Sequence, residues 1–187
     1  MATLTKQAIL LAFLELAAEK PVDKITVKEI ADYCQISRNT FYYHYQDVYQ
    51  VLEEFLDAES QRVLIQIEKD MDSRNMEEYY LRNLNYIISH RALFYHLNQS
   101  SRSEVKIYLK KVGTAIFDHL VEVMSDGLTV SEEDKRMISR FNQYAVQGFI
   151  MEWLEGGEDQ PIERTLHKLQ VVLGENMMEA LERSARQ

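Results

Sequence analysis

The sequence predicts an all-α protein, and three observations carry that expectation. Only two prolines and six glycines interrupt the 187 residues. The stretches between them are rich in Leu, Glu, Ala and Gln, which favour helix over sheet. Apolar residues then recur at three- and four-residue spacing in segment after segment, most of them opened by a Ser, Thr, Asp or Asn able to cap a helix, giving about nine helices. No internal repeat and no low-complexity tract breaks the pattern.

Thr3 to Lys20 reads as the first helix, with Ile9, Phe13, Leu16 and Ala17 on one face and Leu10 and Leu14 widening it. Lys20-Pro21 stops it, because proline biases the residue before it away from helix. Thr26 followed by Glu29 forms a capping box that starts a short second helix at Val27, its apolar set ending at Gln35. Ser37 caps a third, in which Phe41 and Tyr45 lie one turn apart and face inward while Arg38, Asn39, Thr40, Tyr42 and His44 are left largely on the other faces. Two short helices across a tight corner make a helix-turn-helix, whose second helix enters the DNA major groove.

Asp47 with Gln50 caps a fourth helix running to about Lys69, roughly 33 Å at 1.5 Å per residue. Asp70 to Asn75 is a polar break. Asn75 with Glu78 opens a fifth helix through Leu81, Leu84, Ile87 and Ile88 to His90, and Arg91 to Gln99 reads as a short separate sixth. Ser101 with Glu104 is another capping box, leading into a stripe from Val105 to Val123 that stops at Asp126-Gly127. Ser131 with Asp134 begins a helix that carries Ile138, Phe141, Ala145, Phe149 and Trp153 to Gly156-Gly157. Pro161 sits at the start of the last helix, which carries Leu166 to Leu181.

Composition narrows the function. No run of eighteen apolar residues is present, so no membrane span is expected. Glu15 and Glu19 interrupt the N-terminal apolar patch and no small-residue cleavage site follows, which argues for a cytoplasmic protein. Cys34, the only cysteine, excludes an intrachain disulfide or thiolate cluster and reads as a small core group rather than a redox switch. The histidines lack metal-ligand spacing, and no phosphate loop, nucleophile elbow or catalytic triad pattern appears, so neither an enzyme nor a cofactor or metal is expected. A formal charge of −9 stands against a nucleic-acid partner. Residues 1–50, however, hold five Lys/Arg against six Asp/Glu, so the acidity lies mainly outside the helix-turn-helix.

The run ITVKEIADYCQISRNTFYYHY with QDVYQVL after it resembles the DNA-binding segment of TetR/AcrR-type transcriptional regulators over roughly Thr3 to Phe55. Its Tyr-Tyr-His-Tyr with a following Gln-Asp-x-Tyr is similar to the branch that contains dihydroxyacetone-kinase activators. The resemblance implies an N-terminal three-helix DNA-binding bundle (1–50) and a helical ligand-binding and dimerisation domain (51–187). It implies that Thr26, Lys28, Tyr42 and His44 contact phosphate, that Arg38, Asn39 and Tyr43 face bases, and that Ser37 and Thr40 do either. Two positions depart from the family: Gln35 stands where Gly is common, and Val48 where Lys is common. A left-handed residue at the corner would be costlier without glycine, and without the lysine the backbone N–H groups of residues 47–49 would have to meet phosphate.

Beyond residue 51, Tyr86, Phe94, Tyr95, Tyr108, Phe117 and Tyr144 are the aromatic candidates for an effector cavity that the resemblance implies; each alone reads equally as core packing. Phe141, Ala145, Gly148, Phe149, Leu169, Leu173 and Met177 are the expected contacts of the four-helix dimer bundle that the resemblance implies; from the residues alone they read equally as finishing the monomer's own core. The expectation is a homodimeric regulator, usually a repressor in this family, that binds double-stranded DNA and answers to an unidentified small-molecule or protein effector. The competing readings are a helical protein-interaction module and a ligand carrier that has lost the operator.

Overall fold

The computed structural model describes residues 2–72, 76–156 and 176–186, and the side chains of all of these except 2, 3, 70–72, 76–81 and 84. The expectations placed on Asn75, Glu78, Pro161, Leu169 and Leu173 therefore lie outside the described residues and side chains. Every regular element among the described residues is helical: α1 (Ala2–Glu19), a 3-10 turn (Val22–Lys24), α2 (Val27–Tyr33), α3 (Arg38–His44), α4 (Val48–Asp72), α5 (Met76–Ser89), α6 (Arg91–Asn98), α7 (Ser103–Met124) and α8 (Glu132–Glu155). Residues 176–184 form α9. None of these helices is long and apolar enough to cross a membrane.

The chain divides into two compact units, and the division is not a single cut in sequence. The first holds Met1–Glu59 together with His90–Leu109, and the second holds Ser60–Ser89 and Lys110–Gln187. A boundary at 50/51 does not anticipate the return of residues 90–109 to the first unit.

In the first unit the inward face of α1 is Ile9, Ala12, Phe13 and Ala17, all fully buried. This face packs against α2 and, most extensively, against α6, where Leu93 and Leu97 are buried. Phe41, Tyr45, Val51, Leu52, Phe55 and Leu56 complete the core. Burying a side chain the size of Phe13 or Phe41 contributes about 1.5–3 kcal/mol. Cys34 is half-buried, and its thiol, its pKa raised by burial, donates to the Ala8 carbonyl at 3.3 Å.

Two local expectations need correction. The helix after Asp47 runs from Val48 to Asp72, so it takes in the first residues of the polar stretch rather than ending at about Lys69. The capping box of Ser101 and Glu104 does not form: α7 begins at Ser103, and Ser101 spends its backbone N–H and its hydroxyl on Asp23 instead, at 2.8 and 2.7 Å.

The second unit is built on Ile67, Leu120, Val121, Met124, Met177 and Leu181, with Val63, Phe117 and Ile138 among those packed around them. A polar layer joins α7 to α8. Gln143, almost fully buried, accepts from Thr114 at 3.2 Å and donates to the Lys110 carbonyl at 3.3 Å. A Cβ on Gly113 would stand 3.0 Å from the Gln143 amide nitrogen, so the two helices cross where a side chain is missing. Ser131 caps α8 by accepting from the Asp134 N–H, as its sequence predicts.

Candidate nucleic-acid interface

The helix-turn-helix is shaped by three local hydrogen-bond devices. At the start of α2 the capping box is complete: the Glu29 N–H donates to Thr26 Oγ1 at 3.3 Å, and the Thr26 N–H donates to Glu29 Oε2 at 2.9 Å. The Thr26 hydroxyl also donates to Glu29 Oε2, at 2.8 Å, and Lys20 Nζ lies 2.5 Å from Glu29 Oε1. The Lys20 hydrogen bond, followed by those from Thr26, holds the Glu29 carboxyl at a pKa of about 2. Both donors of Thr26 are thus committed inside the protein, so a phosphate could take them only by exchange with Glu29.

The corner is a Schellman motif. Gln35 N–H donates to Asp32 O at 3.2 Å and Ile36 N–H to Ala31 O at 2.9 Å, closing the last carbonyls of α2. This motif requires a left-handed residue between them, and Gln35 supplies it with φ of 55°. At the start of α3, Ser37 Oγ accepts from the Thr40 N–H at 3.0 Å and shares a proton with Thr40 Oγ1 at 2.8 Å.

These devices fix which side of α3 is outward. Phe41 and Tyr45 are 0% and 2% exposed, whereas Tyr42 and Tyr43 are 56% and 81% exposed. Arg38 and Asn39 are exposed, as are Thr26, Lys28 and Ser37; Thr40 and His44 are half-buried. The Tyr43 and His44 rings meet edge-on at 5.0 Å, and Tyr42 stands edge-on to Phe41 at 5.7 Å. The outer side of the second short helix therefore offers a guanidinium, an amide and phenols, which can bond phosphate oxygens and base edges.

The start of α4 carries the Asp47 cap that its sequence predicts. Val48 is 5% exposed, so a cation at this position would have to leave the core to reach a phosphate. The Asp47 carboxylate already accepts the Gln50 N–H at 2.9 Å, and Gln50 in turn accepts the Gln46 N–H at 2.7 Å. The Gln50 N–H, next to those of residues 47–49, is therefore taken, and by a negative group.

The aromatic cavity candidates divide between the units. In the first, Phe94 and Tyr95 are half-buried on α6, and the Tyr108 hydroxyl donates to the Glu53 carbonyl at 3.2 Å and to the Asp57 carboxylate. In the second, Phe117 packs on the apolar core, and the Arg62 guanidinium lies 4.5 Å over the Tyr86 ring. Tyr144 is half exposed, 50%, on the same side of α8 as Phe141.

The dimer candidates also divide. Phe141 and Phe149 are 69% and 44% exposed on α8, where Met137, not among the candidates, is also 69% exposed; Gly148 is exposed and Ala145 half-buried. Met177 is fully buried in the core of its own unit, so its side chain cannot contact a partner; its neighbour Met178 is 40% exposed.

Sequence reasoning missed one cluster in the first unit. Asp23, in the 3-10 turn before α2, accepts from Ser100 and from Ser101 on the corner between α6 and α7. No local spacing signals a contact between residues so far apart in the chain.

Residues 9–55 match the model for bacterial regulatory proteins of the tetR family, and residues 74–174 match the family's model for a transcriptional regulator C-terminal region. Among solved structures the fold is similar to that of the dihydroxyacetone kinase operon activator DhaS, at 18% identity over 96% of this chain and 97% of that one, with a TM-score of 0.71. It is similar to GusR of Salmonella enterica, at 18% identity, 95% of each chain and 0.72. It is similar also to NalD, the secondary repressor of the MexAB-OprM multidrug efflux pump in Pseudomonas aeruginosa, at 18% identity, 97% and 98% of the chains, and 0.67. At such identities the likeness is one of fold. No curated protein matches the sequence.

Proposed function

The chain belongs to the TetR family of bacterial transcriptional regulators, and on that footing we propose that it works in the cytoplasm as a homodimer, binds a pseudo-palindromic operator and represses the genes it controls. The observation that carries this reading is the outward side of α3. Arg38, Asn39, Tyr42 and Tyr43 are all exposed there, while Phe41 and Tyr45 anchor the helix from within. Arg38 and Asn39 at its N-terminal end reach base edges, and Tyr43, 81% exposed, meets a base edge or a thymine methyl. Lys28, Tyr42 and His44 contact phosphates on either side, Ser37 and Thr40 adjust to both, and Thr26 joins once Glu29 releases it.

A palindrome needs two such helices about 34–36 Å apart, hence two protomers. The exposed apolar side of α8, with Met137, Phe141 and Tyr144, is what favours α8 as the dimer surface, since an uncovered patch of this kind is unusual on a monomer. Control follows as a population shift: an effector of the C-terminal region that binds one separation of the recognition helices better than another changes operator affinity by that difference in binding.

The test is selection of bound duplexes from random double-stranded DNA. Enrichment of an inverted repeat with half-sites one helical turn apart, or a multiple of it, is the expected result. Recovery of unrelated sequences with no symmetry would overturn the proposal.

A further inference from the structure

Residues 90–109 belong to the first compact unit, although the residues on both sides of them, Ser89 and Lys110, belong to the second. The segment therefore completes the unit that carries the helix-turn-helix. Part of what holds it there is apolar, through Leu93 and Leu97 of α6. The rest converges on one carboxylate.

Asp23 Oδ1 accepts from Ser100 Oγ at 2.6 Å. Asp23 Oδ2 accepts from the Ser101 N–H at 2.8 Å and from Ser101 Oγ at 2.7 Å. Ser100, 1% exposed, also accepts from the Arg102 N–H at 3.3 Å, so the corner is folded around the carboxylate. Next to it the Arg102 guanidinium lies 4.2 Å over the ring of Tyr49 in the first turn of α4. Burial pushes the Asp23 carboxyl up, but the bonds from Ser100 and Ser101 and the charge of Arg102 outweigh it and hold the group ionised below its ordinary range. Three pieces of chain thus meet at Asp23 and Arg102: the turn that leads into Thr26 and Lys28, the start of α4, and the corner between α6 and α7.

We infer that Asp23 is a positioning residue, a latch that holds the α6–α7 corner on the DNA-binding unit, so that closing or releasing this clamp sets the DNA affinity of the helix-turn-helix. Hydrogen bonds to a charged acceptor suit such a role, because they are directional and are either made or lost, whereas the apolar contacts beside them slide. The inference rests on the DNA-binding reading above for its functional consequence and on geometry alone for the clamp.

The test uses the full-length protein, Asp23→Ala, and Ser100→Ala plus Ser101→Ala, which opens the same clamp from the other side. Without DNA, amide hydrogen exchange at residues 99–104 is expected to quicken at least tenfold in both variants while residues 27–45 keep their protection. Unchanged exchange at the corner overturns the latch. On a selected inverted repeat, the affinity of both variants is expected to change at least threefold, a threshold set just below the roughly fivefold at which coupling between sites usually begins. The dependence on salt should keep its slope, since no phosphate contact is removed. Combining all three substitutions should add little to either set, because each opens the same clamp. A released corner with affinity changed less than threefold, or fully additive effects, overturns the positioning role. If Asp23→Ala loses the protection of residues 27–45, the serine variant decides. If the parent protein selects no inverted repeat, the DNA reading fails and takes the functional half of the inference with it, while the exchange result still decides the clamp.

Discussion

Ile36 donates its N–H to the carbonyl of Ala31 over 2.9 Å, and the residue that makes this closure possible, Gln35, holds φ at 55°. A side chain in that region costs about 1–2 kcal/mol, against the roughly 0.5–1 kcal/mol that glycine loses in chain entropy on folding. Gln35→Gly is therefore expected to stabilise the protein by about 0.5–1 kcal/mol, read as a higher urea midpoint with an unchanged slope. A lower midpoint would show that the Gln35 side chain contributes more than its backbone costs.

Neighbouring aromatics of α3 should separate fold from function. Phe41, fully buried, is expected to cost about 3–5 kcal/mol of stability as Phe41→Ala. Tyr43→Ala, at a residue 81% exposed, should stay within about 0.5 kcal/mol of the parent in stability. It should instead weaken operator binding by about 1–3 kcal/mol if the ring reads a base. Thermal melts and anisotropy titrations on the same two variants decide it.

Acid should loosen the start of α2. The Glu29 carboxyl titrates at about 2 in the folded protein against 4.5 ordinarily, so the unfolded chain binds the proton first as pH falls. The stabilisation from Glu29 is complete above about pH 5 and is lost progressively as pH drops towards 2. The stability gap between the parent and Glu29→Gln should accordingly be widest at neutral pH and shrink across that window. A gap independent of pH would place the value of Glu29 in something other than its charge.

On the α8 side, Phe141→Glu places a charge on an exposed apolar residue. It is expected to leave the monomer's melting temperature nearly unchanged and to shift the sedimentation equilibrium from dimer to monomer. Met177→Ala should do the reverse, costing about 2–5 kcal/mol through a cavity while leaving the surface that pairs intact. A Phe141→Glu protein that sediments as the parent does would remove this side of α8 from the dimer surface.

What the sequence made legible follows from how local each signal is. Thr26 with Glu29 and Ser37 with Thr40 lie within one turn of each other, so the starts of α2 and α3 and the inward side of Phe41 and Tyr45 could be read before any coordinates. Gln35 was identifiable as the strained corner for the same reason. The clamp at Asp23 joins residues 77 and 78 apart, and Ser101 carried a local capping signal that a distant carboxylate overrides. An apolar stripe shows that a helix face is covered but not by what: Met177 and Leu181 are covered by their own unit, while Phe141 and Phe149, in an equally apolar pattern, stand exposed. At Val48 the absence of a lysine is legible in the sequence, but the burial of the side chain in the core, 5% exposed, is not.

The most direct measurement is the affinity of the parent protein and of Arg38→Ala plus Tyr42→Ala for a selected inverted repeat and for the same bases scrambled, at about 50 and 200 mM salt, where phosphate contacts lose most of their strength. The account predicts a preference of the parent for the repeat that survives at the higher salt. It also predicts that the double variant loses this preference while remaining folded and dimeric. Equal affinity of the parent for both duplexes, or a double variant that discriminates as well as the parent, would contradict the claim that the outward side of α3 reads DNA.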